Sequence, residues 1–322
     1  MTRLLALLLA CCAIFVVACG DDEDEGSAPS AESTAAASGK IQRNEENSEI
    51  QLTIGSKNFT EQKVLGEIYA QGLEAAGYQI SKDLNLGDEK TALAAVKSDE
   101  ISAYPEYTGT ALLSFFGKQA DELPKDPQAA YEEAKTGFEA DGLVAFPPTP
   151  FTSSNEVAVT QEKADELQLK TISDLKGKES DLTLYGSPEC RQRLDCLLGL
   201  RQVYGLRFGK FTPVDIAQRH EVLSSGRADV SIVFTTDPQI QREKFVLLED
   251  DQDMFPPYNS TLVMKQETAD AAGADLQSTI ELLQEQLTDE NMQELNARVD
   301  LDKKDPAVVA EEYLTETGLI GG

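Results

Sequence analysis

Short apolar runs alternate with stretches of helical periodicity along most of the chain, and this alternation constrains the fold more than any other feature. Gln51-Leu-Thr-Ile-Gly55 has the pattern of a short buried strand, residues 56–60 form a polar turn, and residues 61–76 place Val64, Leu65, Ile68, Tyr69 and Leu73 on the i, i+4 rhythm of an amphipathic helix. Asn58 followed by Glu61 fits a helix start with a side-chain cap. The same grammar recurs: a helix over 90–97, a brief strand over 101–104, strands over 157–160, 182–185, 228–234 and 245–248, a helix over 191–204, and mainly helix from 268 onward. Strands alternating with helices imply α/β lobes with mostly parallel sheets. Ligands of such sheets bind outside the carboxyl ends of the strands. That rule selects the loops at 56–62, 107–110, 185–193, 234–237 and 255–259.

The N-terminus has a different grammar. Met1-Thr2-Arg3 is a short positive start, and residues 4–15 are almost wholly apolar. About a dozen residues is too short to span a bilayer, which takes roughly 20, and suits a signal-peptide core. The run ends at Val16-Val17-Ala18-Cys19-Gly20, which resembles a bacterial lipobox in which the Cys becomes the lipidated first residue. The following residues are acidic and then rich in Ser, Ala, Glu and Asn, too poor in apolar side chains to fold. The expected organisation is a lipoprotein signal peptide over 1–18, a lipidated Cys19 with a flexible tether over 19–48, one lobe from 49–150 plus 260–322, and a second lobe from 151–259. The location this implies is extracytoplasmic, anchored to the cell membrane by lipid.

Charge and rare residues exclude several functions. The chain carries 57 acidic and 28 basic residues, a net charge of −29, which is opposite to what nucleic acid requires. It favours the approach of cationic solutes, although solubility explains it as well. A single His, His220, removes most triad and zinc-site arrangements. Gly-x-Ser-x-Gly is absent, and no cofactor or metal motif stands out, so the chain is not expected to be an enzyme. Of five Cys, Cys11 and Cys12 fall in the signal peptide and Cys19 would carry lipid. Cys190 and Cys196 would pair as a disulfide in an exported protein. A redox or metal role is the alternative, against which the spacing is not Cys-x-x-Cys.

Four blocks in order carry a resemblance: Gly55-Ser-Lys-Asn-Phe-Thr-Glu-Gln62, Tyr104-Pro-Glu-Tyr-Thr-Gly-Thr110, Val233-Phe-Thr-Thr-Asp237 and Phe255-Pro-Pro-Tyr258. With the segment Glu294-Leu-Asn-Ala-Arg-Val-Asp300, they resemble the substrate-binding proteins of osmoprotectant ABC importers, which bind glycine betaine, choline or carnitine. The resemblance implies a two-lobed clamp of the type II periplasmic binding protein kind, with the ligand cleft between its lobes. It also implies partners: a small quaternary ammonium or zwitterionic solute, and the permease and ATPase subunits of an importer.

A quaternary ammonium has no N–H to donate, so aromatic faces hold it, each worth roughly 0.5–2 kcal/mol. By position, the family's cage falls on Tyr107, Phe234 and Tyr258. Its fourth position falls near Asn155, with no ring there, and the usual Tyr at 234 is a Phe. An amide at 155 suits a different cationic solute with N–H groups. Donors for a ligand carboxylate would be Thr110 at a helix start, Lys57 and Gln62 at the first loop, and Arg193 from the second lobe, with Arg191 competing. Arg193 could instead pair with Asp195. Tyr104 alternates away from Tyr107 and is expected to be structural. Two other readings stay open: the same clamp tuned to a different cationic or zwitterionic solute, and a solute sensor without a transporter.

Overall fold

Two five-stranded sheets organise the computed structural model, which describes residues 39–119 and 122–321. The signal peptide, Cys19 and the tether as far as residue 38 lie outside the described residues. In chain order the strands are β1 (Gln51–Gly55), β2 (Gln79–Asp83), β3 (Ala103–Tyr107), β4 (Leu143–Ala145), β5 (Asn155–Thr160), β6 (Thr183–Gly186), β7 (Lys210–Pro213), β8 (Val230–Phe234), β9 (Phe245–Leu248) and β10 (Ser260–Lys265). The first sheet has the order β2-β1-β3-β10-β4 and the second β7-β6-β8-β5-β9.

The expectation of mostly parallel sheets holds for strand direction and fails for pairing. Pairs β1·β2, β1·β3, β6·β7 and β6·β8 are parallel, whereas β10 runs antiparallel to β3 and β4, and β5 to β8 and β9. Each sheet therefore has one reversed strand, β5 or β10, and each is the first strand after the chain crosses between sheets. Because the reversed strand lies inside its sheet, it makes two antiparallel ladders.

The two crossings run side by side. Thr152 and Asn259 form an isolated antiparallel bridge. The Ser153 amide donates to the Tyr258 carbonyl at 3.1 Å, and the Tyr258 amide to Thr152 Oγ1 at 3.0 Å. This paired connection joins the two sheets, at the place where a hinge is expected.

Alternation along the strands feeds both faces of the first sheet. Leu262 and Met264 of β10 join a core with the helix Thr60–Ala75 and the C-terminal helices, while Val263 joins the opposite core with Tyr104, Leu112 and Phe138. Tyr104 and Tyr107 likewise fall in opposite cores, as their spacing requires. The strand expected to stop at residue 104 continues through Pro105. Leu262, opposite Pro105, turns its carbonyl to the Phe146 amide at 3.0 Å on its other side. β3 meets β1 only at Ala103, so the missing proline N–H leaves no ladder bond unmade.

Two further expectations need correction. Residues 39–48 are part of the folded body rather than of a tether. The Lys40 and Ile41 amides pair with the Gly318 and Leu319 carbonyls at 2.9 Å, Ile41 enters the core, and Glu45–Glu49 forms a 3-10 turn. One apolar anchor and bonds to the Gly318, Leu319 and Ala76 carbonyls dock this polar stretch. The helix expected over 191–204 is split into a 3-10 turn, Pro188–Arg191, and a short helix, Leu197–Gln202. Between them the chain is closed by a disulfide between Cys190 and Cys196.

Candidate functional site

The turn after β1 carries the first wall of the site. Its helix, Thr60–Ala75, starts at Phe59, which makes no side-chain capping bond. Asn58 is not the cap; its amide donates to the Gly87 carbonyl at 3.0 Å. The Phe59 ring instead packs on two of the expected cage residues, 6.3 Å and 21° from Tyr107 and 5.4 Å and 48° from Phe234. Lys57, also in this turn, is buried. Its ammonium pairs with Glu106 and lies 4.5 Å over the Tyr107 ring.

These groups open onto a cavity of about 360 Å³ between the two sheets. Lys57, Tyr107 and Thr110 line it from the first lobe, Asn155, Arg193 and Phe234 from the second, and Tyr258 from the paired connection. Gln62 is not in the wall. It is buried beneath the turn, where its Oε1 accepts from the Lys57 amide at 3.3 Å. Arg191 is exposed and stacks 4.8 Å over Phe211, so of these two it is Arg193 that lines the cavity. Gly109 brings the two tyrosine-bearing segments together: a Cβ there would lie 2.8 Å from the Pro257 carbonyl and from the Tyr258 ring.

Each cation of the wall is paired with a carboxylate. Lys57 pairs with Glu106, Arg193 with Asp195, and Arg219 with Asp237. Arg193 Nε sits 2.8 Å from Asp195 Oδ1, and its Nη1 reaches Glu89 of the first lobe at 3.1 Å. Asp195 Oδ2 also accepts from the Tyr258 hydroxyl at 2.8 Å and the Asn155 amide at 2.9 Å. Burial alone would raise the Asp195 carboxyl, but the Arg193 charge outweighs it and holds it below the usual 3.8. Asp237 is depressed in the same way, by Arg219 against burial. It also accepts from the Phe234 amide and is hydrogen-bonded to His220, at 2.8 and 2.7 Å.

Behind the wall, the Tyr107 hydroxyl donates to Glu61 Oε1 at 2.6 Å, and Asn296 Nδ2 donates to Glu61 Oε2 at 3.0 Å. Burial raises the Glu61 carboxyl above 4.5, opposed by hydrogen bonds from its neighbours.

Several wall residues escape the sequence reading, Phe59, Tyr185, Arg219 and Glu89 among them. Phe59 reads as part of a helix start, although it sits inside a block singled out for its resemblance. Tyr185 stands at the edge of a selected loop and lines the cavity. Arg219 lies 4.5 Å over the Phe234 ring, and no local pattern marks it. Glu89 looks like a first-turn helix acid, which it also is.

Comparison with known proteins agrees with the geometry. A family profile described as the substrate binding domain of an ABC-type glycine betaine transport system matches residues 50–316. A glycine-betaine-binding protein of Pseudomonas aeruginosa is 32% identical over 84% of this chain and 88% of its own length. A carnitine transport binding protein of Listeria monocytogenes is 28% identical, again over 84% of this chain and 88% of its own. The crystal structure of a glycine betaine/carnitine/choline ABC transporter component is 27% identical and superposes with a TM-score of 0.65, covering 82% of this chain and 98% of that one.

Proposed function

The chain belongs to the family of substrate-binding domains of ABC-type glycine betaine transport systems, and on that premise we propose that it captures a quaternary ammonium solute in the cavity between its lobes and delivers it to a membrane permease. A member of this family is a solute binder and not an enzyme. The observation that carries the ligand class is the aromatic wall. Tyr107, Phe234 and Tyr258 line one cavity, and Phe59 packs against the first two. Clustered rings offer a trimethylammonium group, which has no N–H to donate, the negative face of an aromatic ring. A volume of about 360 Å³ lies at the small end for ligand sites, roughly 300–1,000 Å³, which suits glycine betaine, choline or carnitine.

The polar end of the solute would meet Thr110, Lys57 and Arg193. Both cations already hold a carboxylate, so a ligand carboxylate would share their remaining N–H groups rather than find a free charge. Asn155 supports the second reading, in which the clamp takes another cationic or zwitterionic solute. Its amide stands where a fourth ring would complete the cage, and its Nδ2 is spent on Asp195.

The N-terminal residues support export and lipidation at Cys19, and the tether would let the clamp reach its permease. A thermal-shift panel of glycine betaine, choline, carnitine and uncharged osmolytes tests the ligand class. Stabilisation by a quaternary ammonium alone supports it, and stabilisation only by solutes without one rejects it. A Cys19→Ala variant that still partitions with membranes would reject the anchor.

A further inference from the structure

Glu61 sits behind the aromatic wall in an arrangement that packing does not account for. It is buried, and among the described residues no cation lies within ion-pair distance of it. Burying a carboxylate without a counter-charge is costly. Lys57 pairs with Glu106, Arg219 with Asp237, and Arg193 is shared by Asp195 and Glu89, so no cation of the wall is left for Glu61. Both of its oxygens accept hydrogen bonds, from the Tyr107 hydroxyl at 2.6 Å and from Asn296 Nδ2 at 3.0 Å. Tyr107 lines the cavity and Glu61 does not, so the phenol stands between the carboxylate and the place of the solute.

We propose that Glu61 is a positioning residue for cation recognition, acting through the Tyr107 hydroxyl to make that ring a stronger cation binder. A phenol that donates to a carboxylate is polarised toward its ring, and the ring face gains attraction for positive charge. The buried charge also acts through a medium that screens it weakly. The ring holds a cation in the structure: Lys57 Nζ lies 4.5 Å over its centroid. Tyr258 is polarised less, because Asp195 is neutralised by Arg193. Ionised, Glu61 would put a negative charge behind the ring that no cation of the wall balances, and the solute's ammonium would be its counter-charge.

This inference rests on the proposed ligand class, and a double-mutant cycle separates the two. Affinities for glycine betaine and choline are measured on the mature protein, on Glu61→Gln, on Tyr107→Phe and on the double variant. A relay predicts a loss of roughly fivefold or more in each single variant and little further loss in the double. Multiplying losses overturn it, as does an unchanged affinity in Glu61→Gln. Glu61→Gln keeps an acceptor for the phenol; if it does not fold, Tyr107→Phe is compared on each solute and its carbon isostere, 3,3-dimethylbutanoate or 3,3-dimethylbutan-1-ol. The relay predicts weaker binding of the cation with the isostere unaffected, and equal loss of both overturns it. If the unaltered protein binds neither solute, the ligand class falls and this inference falls with it.

Discussion

Arg193 of the second lobe reaches Glu89 of the first across the mouth of the cavity, Nη1 to Oε2 at 3.1 Å. Arg193 is 20% exposed and Glu89 6% in their side chains, so water screens this pair only in part. It joins the two lobes directly, beside the solute's place. In a clamp that closes on its solute a pair of this kind would help hold the lobes together, and its loss should show mainly in the rate of release.

Glu89→Gln is therefore expected to weaken solute affinity by about fivefold, roughly 1 kcal/mol, with most of the change in the dissociation rate. Stopped-flow dissociation checks this. A variant that releases solute at the unaltered rate shows that the pair does not latch the lobes.

The disulfide makes a second prediction. Cys190 and Cys196 close a loop with a sequence separation of 6, for which chain entropy gives about 2 kcal/mol of stability. The same loop carries Arg193, so Cys190→Ser with Cys196→Ser should cost stability and also loosen the grip of Arg193 on Asp195. Denaturant unfolding reads the first effect and solute affinity the second. The native protein should show no reactive thiol at these positions, and two reactive thiols would refute the bond.

Two kinds of acid give a pH profile whose sign can be worked out. Asp195 and Asp237 are held below 3.8, so their contribution is present above that value and lost as pH falls below it. Glu156 on β5 is the reverse. Burial raises it, and the charge of Asp250 adds, to about 7. It is neutral in both states at low pH, and its cost grows as pH rises from 4.5 to 7. Glu156→Gln should therefore gain stability relative to the unaltered protein between pH 5 and pH 8, by on the order of 2 kcal/mol. A difference that stays constant across that range contradicts this.

Much of this arrangement is legible in the sequence, and the exceptions have physical causes. Alternating apolar and helical segments identify the α/β lobes, and the rule of carboxyl ends selects the loops that carry Tyr107, Arg193, Phe234 and Tyr258. The Cys pair is legible from composition together with the expectation of export. Phe59 is not, because a residue at a helix start looks like packing until Tyr107 of the first sheet and Phe234, from beyond the first crossing of the chain, are brought beside it. Glu61 and Arg219 act through partners 46 and 18 residues away, and no local period reports such distances. Gln62 is misjudged for a related reason: the turn folds back, and its side chain serves the Lys57 amide. The direction of β5 and β10 depends on where the paired connection delivers the chain, which no strand pattern encodes.

The central claim is that the aromatic wall between the lobes holds a quaternary ammonium. Isothermal calorimetry of the mature protein against glycine betaine, choline and carnitine, repeated on Tyr258→Ala, tests it most directly. The account predicts saturable heat with at least one of the three, weakened at least tenfold in the variant through loss of a ring face and of the bond to Asp195. Heat from none of them, with tight binding of a solute that carries no quaternary ammonium, would contradict it.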